Sequence, residues 1–203
     1  MTQHNGAMSE QTGLSKGERS RLHIIETANR LFYERGYQQT SFSDIVEASG
    51  IHRGNITYYF KTKNEILQAV IAHRLESIRC LLASWDTEIP EPRERIKRFA
   101  QMILNSEEEI VEYGCPMGSL NTELGKNEPE LQQESRQMFD LFRNWLTRQF
   151  QELGLRKPRA TQLALHLLGR GQGISVMAHV YHDPTYLKNE VLLLKRWVDD
   201  VEA

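Results

Sequence analysis

Cysteine is scarce in this chain: of 203 residues only Cys80 and Cys115 carry a thiol, and they lie far apart. That excludes a disulfide framework and a cysteine-based zinc site, and makes a reducing cytoplasm the expected compartment. Long apolar runs are missing too. No stretch reaches the roughly 18 to 20 residues of a membrane span, and the first 20 hold no signal-peptide core, so neither a membrane association nor an export signal is expected. Nor is there an excess of one charge: 25 Lys and Arg face 27 Asp and Glu, a net of -2, so any nucleic-acid surface has to be local. Sustained strand alternation is absent, which leaves an all-α reading.

Catalytic signatures are equally thin. Ser119 in Gly118-Ser119-Leu120 lacks the nucleophile-elbow pattern, and no paired carboxylates stand out. His179, His182 and Asp183 have no second cluster to complete a metal site. The run Gly169-Arg170-Gly171-Gln172-Gly173 resembles half of a phosphate loop but follows no strand; small residues that let two helices approach closely explain it better. No enzyme, metal or cofactor is therefore expected.

Helical periodicity fills the rest. Residues 1–15 are polar and aperiodic, a disordered lead-in by composition. From Lys16 the apolar positions Ile24, Ala28 and Leu31 fall on one helix face, and Gly36 stops it. Ser41 with Asp44 predicts the cap of a very short second helix ending near Ser49 and Gly50, and a third short segment runs from Ile51 to Tyr58. A long helix follows Thr62, carrying Ile66, Leu67, Val70, Leu75 and Ile78. Further helices are predicted over Pro92–Tyr113, Pro129–Leu153, Arg159–Tyr181 and Pro184–Val201, with Gly114 to Gly118 as a break. Between Lys16 and Lys63 eight basic residues face five acids, a local +3; with the chain at -2, the remainder carries -5. That is the footprint a DNA-binding module needs.

Two short helices joined by a Gly-containing turn have the dimensions of a helix-turn-helix. The combined pattern Gly36-Tyr37, Thr40-Ser41, Asp44-Ile45, Gly50-Ile51, Gly54-Asn55-Ile56, Tyr59-Phe60 and Lys63-Asn64-Glu65-Ile66-Leu67 resembles the N-terminal domain of TetR-family transcriptional regulators. The resemblance covers about residues 16 to 67. It implies a three-helix DNA-binding head (16–62) followed by a larger helical body (63–203) for ligand binding and dimerisation, about nine helices in all. Its last two helices are expected to form a homodimer. One position departs: where the family has a phosphate-holding Tyr after the aliphatic residue of the third helix, this chain has Thr57.

Geometry and resemblance together place roles. Ile25, Leu31, Phe32, Ile45, Val46, Ile51, Ile56 and Phe60 are expected to pack the head. His52, Arg53, Asn55 and Thr57 project from the third helix, where Arg can pair with guanine and Asn with adenine in double-stranded operator DNA. Ser41, Tyr58, Tyr59, Lys61 and Lys63 are expected at phosphates. In the body, Met102, Tyr113, Cys115, Met117, Phe139, Phe142 and Trp145 are the candidate lining of a small-molecule effector pocket, against the long helix and the 113–120 segment. Cys115 sits at a helix break, which keeps open a reactive thiol of a kind that Cys80, on a helix stripe, need not supply, but a buried, inert cysteine is the expected reading. Leu163, Leu167, Ile174, Val191, Leu194 and Val198 are the candidate dimer seam. The resulting expectation is a cytoplasmic, ligand-responsive regulator, more often a repressor; a helical interaction module or a small helical enzyme without DNA binding are the rival classes.

Overall fold

In a computed structural model that describes residues 14–202, regular structure begins at a reciprocal cap. The Ser15 hydroxyl accepts the Glu18 N–H while the Glu18 carboxylate takes the Ser15 N–H, opening α1 (Lys16–Arg35). The expected disordered lead-in lies, for residues 1–13, outside the described residues. Ser41 and Asp44 repeat the arrangement at the start of α2 (Phe42–Ser49), whose C-cap Gly50 has φ 65, the left-handed conformation glycine adopts without steric cost. The chain then enters α3 (Arg53–Tyr59) and α4 (Lys63–Glu88). Ile24, Ala28, Leu31, Phe32, Ile45, Ile56, Phe60, Ile66 and Leu67 are buried, as is Tyr37; Val46 and Ile51 are only half-buried. Thr40, fully buried, donates its hydroxyl to the Gly36 carbonyl at 2.8 Å, which fixes the turn between α1 and α2.

The body comprises α5 (Pro92–Asn105), α6 (Glu107–Tyr113), α7 (Pro116–Asn127), α8 (Pro129–Glu152), α9 (Lys157–Tyr181) and α10 (Pro184–Asp199). The described residues contain helices only. The segment expected as one helix over 92–113 is interrupted at Ser106 (φ -108, ψ 28), so α5 and α6 are one helix with a break. Helix α7 has no counterpart in the sequence reading, because Pro116, taken there as part of a break, instead sits in the first turn of a new helix. α8 packs along α9, with α5, α7 and α10 around them. Phe99 meets Phe142 and Trp85 meets Trp145 edge to face, each pair 5.5 Å between ring centres. A Cβ at Gly171 would lie 3.0 Å from Ile103 Cδ1, so this glycine lets α9 approach α5 closely, whereas Gly169 and Gly173 face open space. Arg93 of α5 donates to the carbonyls of Val198, Asp199 and Val201, closing the end of α10.

Two compact units divide the chain between His73 and Arg74, inside α4. The residues proposed as a dimer seam are corrected by their burial. Leu163, Leu167, Ile174, Val191, Leu194 and Val198 all lie within the body core. The apolar residues that α9 and α10 leave exposed are Leu165, Val176, Met177, Val180, Tyr181, Leu192 and Leu193.

Candidate functional site

The second helix of the helix-turn-helix is held by its own first residues. His52 is the N-cap of α3, and its Nδ1 accepts the Gly54 N–H at 3.2 Å; in the neutral ring the proton then sits on Nε2, an outward donor. Arg53 donates to Ser43 Oγ at 3.3 Å while its guanidinium lies 5.3 Å from the centre of the Phe42 ring. Its fork is thus aimed by α2 before any partner arrives. Asn55, two residues along, is exposed, and Ile56 next to it is fully buried. A cleft of about 510 Å³ beside these residues is lined by Lys16, Gly17 and Ser20 of α1 with Ile51, His52, Asn55, Tyr58 and Tyr59. Of the α1 residues on this cleft, sequence reasoning reaches only Lys16, as part of a basic excess, and misses Gly17 and Ser20.

The residues expected at phosphates divide into two groups. Ser41 accepts an amide at its oxygen, and Tyr58 is 78% exposed. Thr57, half-buried, already donates its hydroxyl to the Gly54 carbonyl at 3.0 Å, so the departure from the family pattern is not repaired by Thr57 itself. Lys61 Nζ donates to the Thr57 carbonyl at 2.6 Å, closing α3. Lys63 differs most from expectation. Its ammonium donates to the Tyr37 carbonyl at 2.9 Å and stands 4.1 Å from the centre of the Tyr37 ring, while the Tyr37 hydroxyl donates to Asn64 Oδ1 at 2.5 Å. In this geometry Lys63 ties the α1–α2 turn to the start of α4.

The body holds a second cleft, about 620 Å³, built from the α6–α7 link and α7 (Gly114, Cys115, Gly118, Ser119, Asn121, Thr122, Glu123, Lys126), Phe139 of α8, and Gln172, Val176 and His179 of α9. The α9 trio falls at i, i+4 and i+7, a periodicity that sets the three on one helix face and is visible in the sequence. Gly114 has φ 79, again left-handed. Of the seven proposed effector residues only Cys115 and Phe139 line this cleft. Phe142 and Trp145 are core: Phe142 is 1% exposed against Phe99, and the Trp145 indole donates to Asp86 at 2.9 Å. Met102, Tyr113 and Met117 are half-buried without lining it.

The two thiols differ in exposure. Cys80 is exposed and donates to Glu76, whereas Cys115 is half-buried and its sulfur receives the Gly118 N–H at 3.5 Å and the Gln172 amide at 3.3 Å. His182 and Asp183 cap neighbouring helices, and His179 Nδ1 pairs with the Val111 carbonyl, so the histidine cluster has structural partners; no metal-holding group occurs among the described residues. No helix there is long and apolar enough to cross a membrane.

Comparison with known proteins matches this division of the chain. Residues 24–70 fit the profile of bacterial regulatory proteins of the tetR family, and residues 92–190 fit the C-terminal domain of LmrA/YxaF-like transcriptional regulators. An uncharacterized HTH-type transcriptional regulator in the lacX 3' region of Lactococcus lactis subsp. lactis is 26% identical over 85% of this chain and 89% of its own. The HTH-type transcriptional regulator TtgR of Pseudomonas putida is 41% identical, but over only 28% of this chain and 27% of its own. A TetR transcriptional regulator from Legionella pneumophila shares the fold at a TM-score of 0.80, with 22% identity over 94% of this chain and 100% of its own.

Proposed function

The chain belongs to the TetR family of transcriptional regulators, and from that premise we propose that it is a cytoplasmic repressor which holds a near-palindromic operator as a homodimer and lets go when a small effector fills the α7–α9 cleft. The observation that carries the DNA half is Arg53, exposed on α3 and already stacked on Phe42 and tethered to Ser43. Arg53 and Asn55 read base edges from the major groove; His52, Ser41, Tyr58 and Lys61, with Lys16 across the cleft, face phosphates. Residues 16–62 act as the head, and the body from 63 onward takes the ligand and the partner.

A second copy covers exposed apolar positions of α9 and α10 that do not line the cleft, Leu165, Val180, Leu192 and Leu193, and spaces two recognition helices about 34 to 36 Å apart. The effector meets Phe139 and Val176 with its apolar part and Gln172, Ser119 or His179 with its polar groups; Cys115 is a neighbour of that ligand rather than a sensor by itself. The test is titration of the full chain onto DNA from upstream of its own gene, beside sedimentation. Preferential binding over random DNA by a dimer is expected, and a dimer disrupted by Leu193→Glu is expected to lose it. Equal affinity for random and upstream DNA would overturn the reading.

A further inference from the structure

We propose that Arg74 is the positioning residue through which the state of the body cleft reaches α4, an inference that rests on the cleft being the effector site. Arg74 Nη1 donates to the Pro116 carbonyl at 2.8 Å in a partly buried setting, across 42 positions of chain. Pro116 is in the first turn of α7, directly after Cys115, the N-cap whose side chain lines the cleft. Gly114, Cys115, Gly118 and Ser119 from the same turn line it too. The gripped carbonyl therefore sits on the stretch a ligand would press.

Two further observations give the grip a direction. Gly114, at φ 79, precedes Cys115, so α7 joins α6 through a left-handed glycine link at which α7 can pivot. On the other side of the bond, Arg74 is the first residue of the body unit, and α4 runs without a break from Lys63 through His73 and Arg74 to Glu88. The far end of α4 is fixed separately, where Asp86 accepts from Trp145, Arg148 and Gln149 of α8. A helix anchored at Asp86 and gripped at Arg74 transmits a displacement of Pro116 to the residues that precede Arg74. The planar, permanently charged guanidinium makes a stronger and more directional hold on a carbonyl than a neutral amide would.

The test uses cleft occupants that need no knowledge of the natural effector: N-ethylmaleimide on Cys115 in a Cys80→Ser chain, with a single adduct verified by mass, and independently Ser119→Trp, which fills the cleft from its rim. Each is combined with Arg74, Arg74→Gln, Arg74→Ala and Arg74→Lys, and affinity for the upstream DNA is read alongside hydrogen exchange over residues 63–73. With Arg74 present, occupancy is expected to weaken DNA binding about tenfold and to alter exchange in 63–73. Arg74→Gln and Arg74→Ala are expected to bind DNA within about threefold of the parent when the cleft is empty, yet to respond less than about twofold to either occupant, and Arg74→Lys to recover part of the response. If Arg74→Gln and Arg74→Ala respond as fully as the parent, Arg74 is not the link while the cleft remains the effector site. If the parent itself ignores both occupants, the cleft reading falls and this inference with it.

Discussion

In the head, α1 and α2 open on reciprocal boxes of serine and carboxylate, Ser15 with Glu18 and Ser41 with Asp44; in the body, α5, α7, α8, α9 and α10 open with proline in their first turn. All 6 prolines lie at position 90 or beyond. The two solutions answer the same problem, the unpaired N–H groups of a helix start, by different physics. A capping box satisfies donors with an ionised side chain, and it leaves that side chain subject to pH. Proline removes a donor covalently and fixes φ, whatever the pH. The head thus has titratable starts at α1 and α2, and the body has proline-fixed ones, with α10 alone adding a carboxylate cap, Asp183.

The most severe expected break is on the body side. Phe142→Ala empties a site buried against Phe99 and is expected to cost about 3–5 kcal/mol. Since the 3 tryptophans, Trp85, Trp145 and Trp197, all belong to the body, their fluorescence in a denaturant titration reports that unit alone. A head substitution comes next. Arg53→Ala is expected to remove about 1–3 kcal/mol of discrimination at one operator position without moving the tryptophan transition. Lys61→Ala, by contrast, should weaken specific and random DNA alike and reduce the salt slope by about 1 per half-site.

Lys63 sharpens the contrast between readout and framework within the head. Lys63→Ala loses a charged hydrogen bond and a cation–π contact at Tyr37, so about 1–2 kcal/mol of head stability should disappear with little change in salt slope. Circular dichroism melts and salt titrations of the same variant separate the two. The mildest effect is at a cap: Ser41→Ala is expected to cost about 1 kcal/mol. The hydrogen bonds from Ser41 hold the Asp44 carboxyl below its usual range, as those from Ser15 do for Glu18. Both groups have a depressed folded-state value, so their contribution is complete above the ordinary carboxylate range and fades as pH falls through the lowered values. Head melting in Ser41→Ala should therefore depend less on pH below about 4 than in the parent. An unchanged dependence would mean that the boxes do not set acid sensitivity.

The sequence announced the head more fully than the body, and the residues show why. Ser41, Asp44 and Gly50 act through neighbours three to six positions away, so their consequence is local and can be read by eye. Thr57 and Lys63 were legible as identities but not as partners: their donors go to Gly54 and Tyr37, and only folding brings the second of these close. In the body, α9 is apolar on more than one face. Periodicity showed that Leu163, Leu167 and Ile174 seek cover, but it could not tell cover by α8 and α10 from cover by a second chain. The exposed Val176 and Val180, on the opposite side of the same helix, are invisible to that argument. Helix α7 was hidden by the opposite error, a Gly-Cys-Pro sequence read as the end of one element when its proline began another.

The grip of Arg93 on the end of α10 has a bearing on how the molecule is made. Its carbonyl partners lie 105 to 108 residues further along the chain, so the contact cannot close until α10 has been synthesised. The pairings of the head are short-range by comparison, Tyr37 with Asn64 spanning 27 positions and Thr40 with Gly36 only 4. On a ribosome that releases the N-terminus first, the DNA-reading end is assembled while the body still lacks α10. A nascent chain arrested before Val198 therefore carries a finished reader joined to an unfinished regulator, and Arg93 marks the point at which the second catches up with the first.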